Sequence, residues 1–181
     1  MNLLLDMDGI LVDLQYGLLS YHKRLDIYNN YPIGIYDLCK VLNITQNELF
    51  VCDSIDFWAN LPKTPDFDEI INICTFYFTL DQIFIVTKPT NSTYSINGKI
   101  AWMEKYLPYL RKNLVFTSHK YLLVGHKDNL LVDDYDKNVE SFIQNGGEAF
   151  LYPRPWNRKY KSIQNSIKLL QEAIHSFTIV G

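Results

Sequence analysis

Short apolar runs alternate along this chain with longer stretches whose apolar residues recur at helical spacing. Residues 2–5 form a brief apolar run that predicts a buried strand. Over residues 13–25, Leu14, Leu18, Leu19 and Leu25 lie near helical spacing and predict a helix. The turn-rich stretch NNYPIGIYDL then breaks the pattern. Thr45 and Glu48 stand in capping-box positions, so a short helix is expected after Asn43. Residues 53–60 predict another helix, stopped at Leu61-Pro62. Asp66 can head a helix reaching about residue 78, with Ile70, Ile71, Cys74 and Phe78 turned inward. Beyond it come a strand at QIFIVT, a helix over 98–107 and a strand at NLVFT. A strand at NLLVDD, a helix over 136–145, a strand at EAFLY and a helix over 160–177 complete the chain.

Strands separated by helices imply an α/β fold: a doubly wound, Rossmann-like parallel sheet with helices on both faces. Such sheets bind ligands beyond the carboxyl ends of their strands, near a topological switch point. The residues that follow each strand therefore form one candidate site. They are Asp6 and Asp8, then Thr87 and Lys88, then Thr117, Ser118 and Lys120, then Asp133 and Asp134.

Composition narrows this reading only a little. Hydrophobic residues make up 48% of the 181 and charged residues 20%, enough for a core in one domain, with room for an insertion. A net charge of -3 argues against a general nucleic-acid binder, yet allows a local basic pocket for a small anion. Cys39, Cys52 and Cys74 are scattered and odd in number. They fit neither a disulfide framework nor a zinc site, which suits free thiols in a reducing, cytoplasmic setting. The first apolar run is interrupted by Asp6, Asp8 and Asp13, so it does not read as a signal peptide, and no apolar stretch is long enough to span a bilayer.

The residues after the strands share one chemistry. Clustered carboxylates repel unless a cation sits among them, and oxygen-only ligands favour Mg²⁺. The Thr87 hydroxyl and a lysine ammonium suit the oxygens of a phosphate. One aspartate of the first pair can attack phosphorus as a carboxylate nucleophile. The other, two residues on, shares its side of an extended stretch and can protonate a leaving oxygen, then activate water. Gly9 lets the backbone turn tightly there. Taken singly, Asp-x-Asp-Gly is more often a solvated turn, Thr87 a helix cap and Lys120 a surface lysine. The weight lies in their order and their shared placement after strands.

With these motifs the chain resembles the haloacid dehalogenase-like phosphohydrolases, and within them the 5′(3′)-deoxyribonucleotidases of bacterial and phage type. LLLDMDG (residues 3–9) matches the superfamily's first motif, Thr87 in IFIVTKPT the second, and LLVDD (residues 130–134) the fourth. GKIAWMEKYLP, SHKYLLVG, DKNVESFIQNGGEAFLYPRPWN and DFWANLPKTPD are closer to the nucleotidase branch. The resemblance implies Asp6 as nucleophile and Asp8 as general acid/base. It implies a Mg²⁺ held by Asp6, the Asp8 main-chain carbonyl, Asp133 and Asp134, with Asp134 favoured as the direct ligand. Thr87 would hold the phosphoryl group, with Lys120 as the third-motif lysine and Lys99 as a second candidate. Where the family often has Ser after the second-motif Thr, this chain has Lys88, whose ammonium also suits an anion.

The resemblance also implies a small helical cap, residues 14–62, inserted into a core formed by residues 1–13 and 63–181. Tyr16, Tyr36, Phe57 and Trp58 lie in that insertion, and Phe57, Trp58 and Tyr16 are its candidate pocket residues. The basic cluster over 154–161 reads as a solvated surface. The expected activity is a Mg²⁺-dependent phosphatase of nucleoside 5′-monophosphates acting through an aspartyl-phosphate. Its partner would be a small-molecule nucleotide, with no nucleic acid or membrane, and a homodimer is admitted. A phosphatase of another small phosphomonoester, or a phospho-accepting signalling module, remain rival readings.

Overall fold

The computed structural model describes residues 1–125 and 128–180. At its centre lies a five-stranded, wholly parallel sheet in the order β3-β2-β1-β4-β5. The strands are β1 (Asn2–Asp6), β2 (Ile83–Thr87), β3 (Leu114–Phe116), β4 (Asn129–Asp133) and β5 (Glu148–Leu151). From β1 the chain winds outward through β2 to β3. It then returns across β1 to lay down β4 and β5 on the other side. The winding direction therefore switches between β1 and β4, where a crevice opens beyond the strand ends. Asp6 is the last residue of β1, beside Val86, and Asp133 is the last of β4, beside Leu151.

Alternation along the strands decides which side chains meet which helices. Leu3 and Leu5 of β1 join the larger core with α6 (Phe67–Tyr77), α7 (Thr93–Tyr106) and α9 (Ser166–Val180). Ile70, Ile71 and Cys74, Trp102 and Met103, and Leu170, Ile174 and Phe177 are the respective helix contributions. Leu4, between them in sequence, faces the other way and packs with Val86, Leu131 and Phe142 of α8 (Asp136–Gln144). Burial on both faces explains why the strands read as nearly continuous apolar runs.

Residues 14–62 form five short helices: α1 (Leu14–Tyr21), α2 (Leu25–Asn29), α3 (Leu38–Leu42), α4 (Gln46–Leu49) and α5 (Ile55–Ala59). Leu18, Leu19, Tyr31, Leu38, Leu49 and Cys52 make a second apolar cluster there, joined by Trp156 from the chain beyond β5. The single helix expected over 13–25 is two, because Lys23 takes a left-handed φ of 56° between them. The third helix, not expected from the sequence, starts at the last residue of the turn-rich stretch. The Asp37 side chain caps it by accepting from the Cys39 N–H. The capping box forms in both directions between Thr45 and Glu48. The seventh helix starts at Thr93 rather than residue 98, since Ser92 caps it by accepting from the Tyr94 N–H. Residues 160–165 form a 3₁₀ turn before α9. No described helix is long and apolar enough to cross a membrane.

The fifth helix sits tightly on α7, and Gly98 makes this possible. A Cβ there would lie 2.3 Å from the Trp58 Cβ and 2.8 Å from the Ile55 carbonyl oxygen. Replacing a mid-helix Gly by Ala gains about 1 kcal/mol of propensity. Overpacking against backbone costs about 1–3 kcal/mol. The second effect should win, so Gly98→Ala is expected to lower the urea midpoint of unfolding. A midpoint at or above wild type would show that α5 and α7 separate freely.

Candidate active site

Asp6 ends β1 buried, and its carboxylate takes two donors on one oxygen. The Met7 N–H donates to Oδ1 at 2.7 Å, and Lys120 Nζ lies 2.6 Å from the same atom. Lys120 is itself buried in a 3₁₀ turn (Lys120–Leu123) after β3, and its ammonium also donates to Asp133 Oδ2 at 2.7 Å. One lysine thus ties the ends of β1 and β4 together. Burial alone would lower its pKa, but the charges of Asp133 and Asp6 outweigh burial and hold it above the ordinary value.

A second buried lysine serves the other side. Lys99, in the first half of α7, is 1% exposed. Its ammonium donates to Asp8 Oδ2 at 2.5 Å, to Thr87 Oγ1 at 2.7 Å and to the Lys88 carbonyl at 3.1 Å. Asp8 is also within 3.5 Å of the Thr87 hydroxyl. Asp6, Asp8, Thr87, Lys99 and Lys120 therefore converge at the ends of β1, β2 and β3. The Lys88 side chain does not join them: it is exposed, and only its main-chain oxygen meets the cluster.

Asp133 and Asp134 complete the crevice and differ in their surroundings. Asp133 is saturated, accepting from the Tyr135 N–H at 2.8 Å, from Asn138 at 2.9 Å and from Lys120. Asp134 accepts from the Trp156 indole N–H at 2.6 Å on Oδ2, while its Oδ1 is buried without a partner among the described residues. Carboxylate oxygens of Asp6, Asp133 and Asp134 all lie within 4.8 Å of one another. Like charges in a buried space are unfavourable. Burial, then the charge of Asp133, raises the Asp6 carboxyl from 3.8 to about 7. Burial, then the charges of Asp6 and Asp133, pushes Asp134 well above the usual carboxylate range. An all-oxygen cluster with an orphaned carboxylate oxygen fits a hard divalent cation. Gly9 leaves the room: its φ is +79°, and a Cβ there would fall 2.0 Å from Asp134 Oδ2.

The chain beyond β5 holds this arrangement from behind. Arg154 Nε donates to the Gly9 carbonyl at 2.7 Å, and its other nitrogens grip Asp66 at 3.0 and 2.8 Å. Asp66 is therefore spent on Arg154 rather than on capping α6. Asn157 donates to the Asp134 and Tyr152 carbonyls, each at 2.8 Å. Arg154, Trp156 and Asn157 are buried, so this half of the basic cluster is no solvated surface, whereas Arg158, Lys159 and Lys161 are exposed. Sequence reasoning missed all three. The one available signal was the tryptophan between a proline and an asparagine in PRPWN, since Trp is highly buried on average.

The aromatic candidates differ in their surroundings. Trp58 is 1% exposed, with its indole N–H donating to Asp53 at 2.6 Å and its ring 5.1 Å from Lys99 Nζ. It offers no free face for a base and instead packs beneath the lysine. Phe57 is half-buried, edge-on to Trp58, and Tyr16 is exposed, edge-on to Tyr28 at 5.2 Å. Tyr36, from the 14–62 segment, is a further ring that feels the charge of the carboxylates. It stacks on Tyr135 at 3.9 Å. Burial, followed by the charges of Asp134, Asp6, Asp133 and Asp8, raises its phenol well above the ordinary value.

A 5′(3′)-deoxyribonucleotidase of Bacillus subtilis (strain 168) is 26% identical over 157 residues, covering 85% of this chain and 86% of the relative. A protein of the same name from Bacillus phage SPbeta matches to the same extent. A family model described as "5′ nucleotidase, deoxy (Pyrimidine), cytosolic type C protein" matches residues 1–174. Nearly the whole chain, with every carboxylate of the crevice, lies within that match, and the protein belongs to this 5′-nucleotidase family of phosphoric monoester hydrolases.

Proposed function

We propose that this protein hydrolyses nucleoside 5′-monophosphates, deoxyribonucleotides foremost, through an aspartyl-phosphate on Asp6. The observation that supports it most is the pairing of two buried lysines with the two aspartates of one motif: Lys120 with Asp6, and Lys99 with Asp8 and Thr87. The names of the bacterial and phage relatives supply the substrate class.

In this reading the phosphoryl oxygens are received by Lys99, Thr87 and Lys120, which are buried donors and cost little to reorganise. Asp6 attacks phosphorus through Oδ2, the oxygen not engaged by Met7 and Lys120. The bond from phosphorus to the ester oxygen breaks, and Asp8 gives that oxygen a proton, releasing the nucleoside. Asp8 then takes a proton from water as the water attacks phosphorus, which frees phosphate and restores the Asp6 carboxylate. Mg²⁺ would be held by Asp6, Asp134 and the Asp8 carbonyl, with Asp133 supporting. When bound it supplies positive charge against the carboxylates and the phosphate oxygens. Residues 14–62 act as a cap over the crevice.

Three measurements test this reading. Hydrolysis of a panel of nucleoside monophosphates and sugar phosphates with Mg²⁺ should favour the nucleotides, and preference for sugar phosphates would overturn the substrate class. Asp6→Asn should remove at least about a thousand-fold of turnover while the protein stays folded, because an amide cannot attack phosphorus. Near-normal turnover by the folded variant would exclude Asp6 as nucleophile. The third measurement is thermodynamic. Without metal, folded Asp6 holds its proton up to about pH 7, whereas the unfolded group releases it near 3.8. The folded state binds more protons across that window, so metal-free stability should fall as pH rises from about 4 to 7. Asp134→Asn relieves part of the repulsion and should raise the metal-free Tm at pH 8, by about 2–4 °C per kcal/mol relieved. Added Mg²⁺ should stabilise wild type far more than this variant. A variant that melts below wild type without metal would contradict the repulsive cluster.

A further inference from the structure

We propose that Trp156 is a positioning residue whose indole N–H presents Asp134 to a divalent cation and so sets the cation's affinity. This rests on the reading that the carboxylate cluster binds such a cation. The two oxygens of Asp134 are unlike. Oδ2 accepts from Trp156 Nε1 at 2.6 Å, and Oδ1 is buried with no partner among the described residues. An indole nitrogen only donates and does not titrate, so it can neither ligate a cation nor release its hold with pH. Its one role toward this carboxylate is to fix Oδ2 and leave Oδ1 open.

Repulsion makes such a hold necessary. Asp134 lies among Asp6 and Asp133, with oxygens of the three within 4.8 Å. An unrestrained carboxylate would rotate away from its neighbours whenever the cation is absent, and rotating it back would weaken binding. Several contacts prevent that rotation. The main chain of Asp134 is anchored by Asn157, which donates to its carbonyl at 2.8 Å. On the side of Oδ2, Gly9 approaches so closely that a Cβ would be 2.0 Å away. The indole itself is 5% exposed and wedged against the 14–62 segment, with Tyr31 edge-on at 5.4 Å and 65°. Groups that orient metal ligands in this way typically control affinity by about 10–100-fold.

The test is calorimetric titration of the metal-free full-length protein with Mg²⁺, which reads affinity without catalysis. Trp156→Phe keeps a ring in place but has no donor, and its Mg²⁺ dissociation constant should rise about 10–100-fold. Its activity should recover as Mg²⁺ is raised to saturation, which a variant with merely loosened packing would not do. If Trp156→Phe fails to fold, a benzothienyl-alanine placed at position 156 keeps the ring's shape, replaces the N–H by sulfur, and should show the same loss. Wild-type affinity in either folded variant overturns the role of Trp156 while leaving the cation reading intact. A wild-type protein that binds no Mg²⁺ overturns both.

Discussion

Three carboxylates offered within 4.8 Å of one another, in space that water hardly reaches, are the constraint around which this molecule is arranged. Folding alone does not favour them, because each loses its hydration and faces like charge. Lys120 relieves part of the conflict by bridging Asp6 and Asp133. Breaking a buried pair by removing one partner costs about 3–5 kcal/mol, so this lysine also holds β3, β1 and β4 in register at their ends. What Lys120 leaves unresolved is concentrated on Asp134, whose free oxygen and raised pKa mark the place for a further positive charge. The surrounding sequence accommodates the conflict. Gly9 yields its side chain, the Trp156 indole occupies one oxygen, and Arg154 holds the Gly9 carbonyl from behind.

The same constraint links the helical insertion to the crevice. Trp156 belongs at once to the apolar cluster of residues 14–62 and, through its N–H, to Asp134. Trp58 lies in the fifth helix and under Lys99, so the helix pair that Gly98 permits also sets the second lysine. The insertion is thus not merely laid over the strand ends. Its packing meets the residues that hold the charged groups, and a shift in one implies a shift in the other.

Much of this could be read from the sequence, for a definite reason. Strand ends in a doubly wound sheet are fixed by hydrophobic runs, and runs such as residues 2–5 and 130–132 are visible without a structure. Asp6, Asp8, Thr87, Lys120, Asp133 and Asp134, each read from its place near a strand end, do meet in space, and Lys99 was reached through the resemblance. The failures have the opposite character. Lys88 follows a strand too, but alternation turns its side chain outward and leaves only its carbonyl on the site. Trp58 was read for its stacking face, yet a large ring is as readily core, and Trp58 is fully packed. Arg154, Trp156 and Asn157 act across more than twenty residues of chain on Asp134 and Gly9. No local period or spacing encodes such contacts, and a run rich in basic residues looks like surface.

In the proposed reaction one carboxylate, Asp6, is the nucleophile toward phosphorus. The most direct measurement is chemical trapping during turnover. Enzyme mixed with a nucleoside monophosphate and Mg²⁺ is quenched with borohydride, which reduces an acyl phosphate to an alcohol, and its peptides are read by mass spectrometry. The reduced side chain should appear at residue 6, only when substrate is present. Reduction at another aspartate, or none under conditions of rapid turnover, would contradict it.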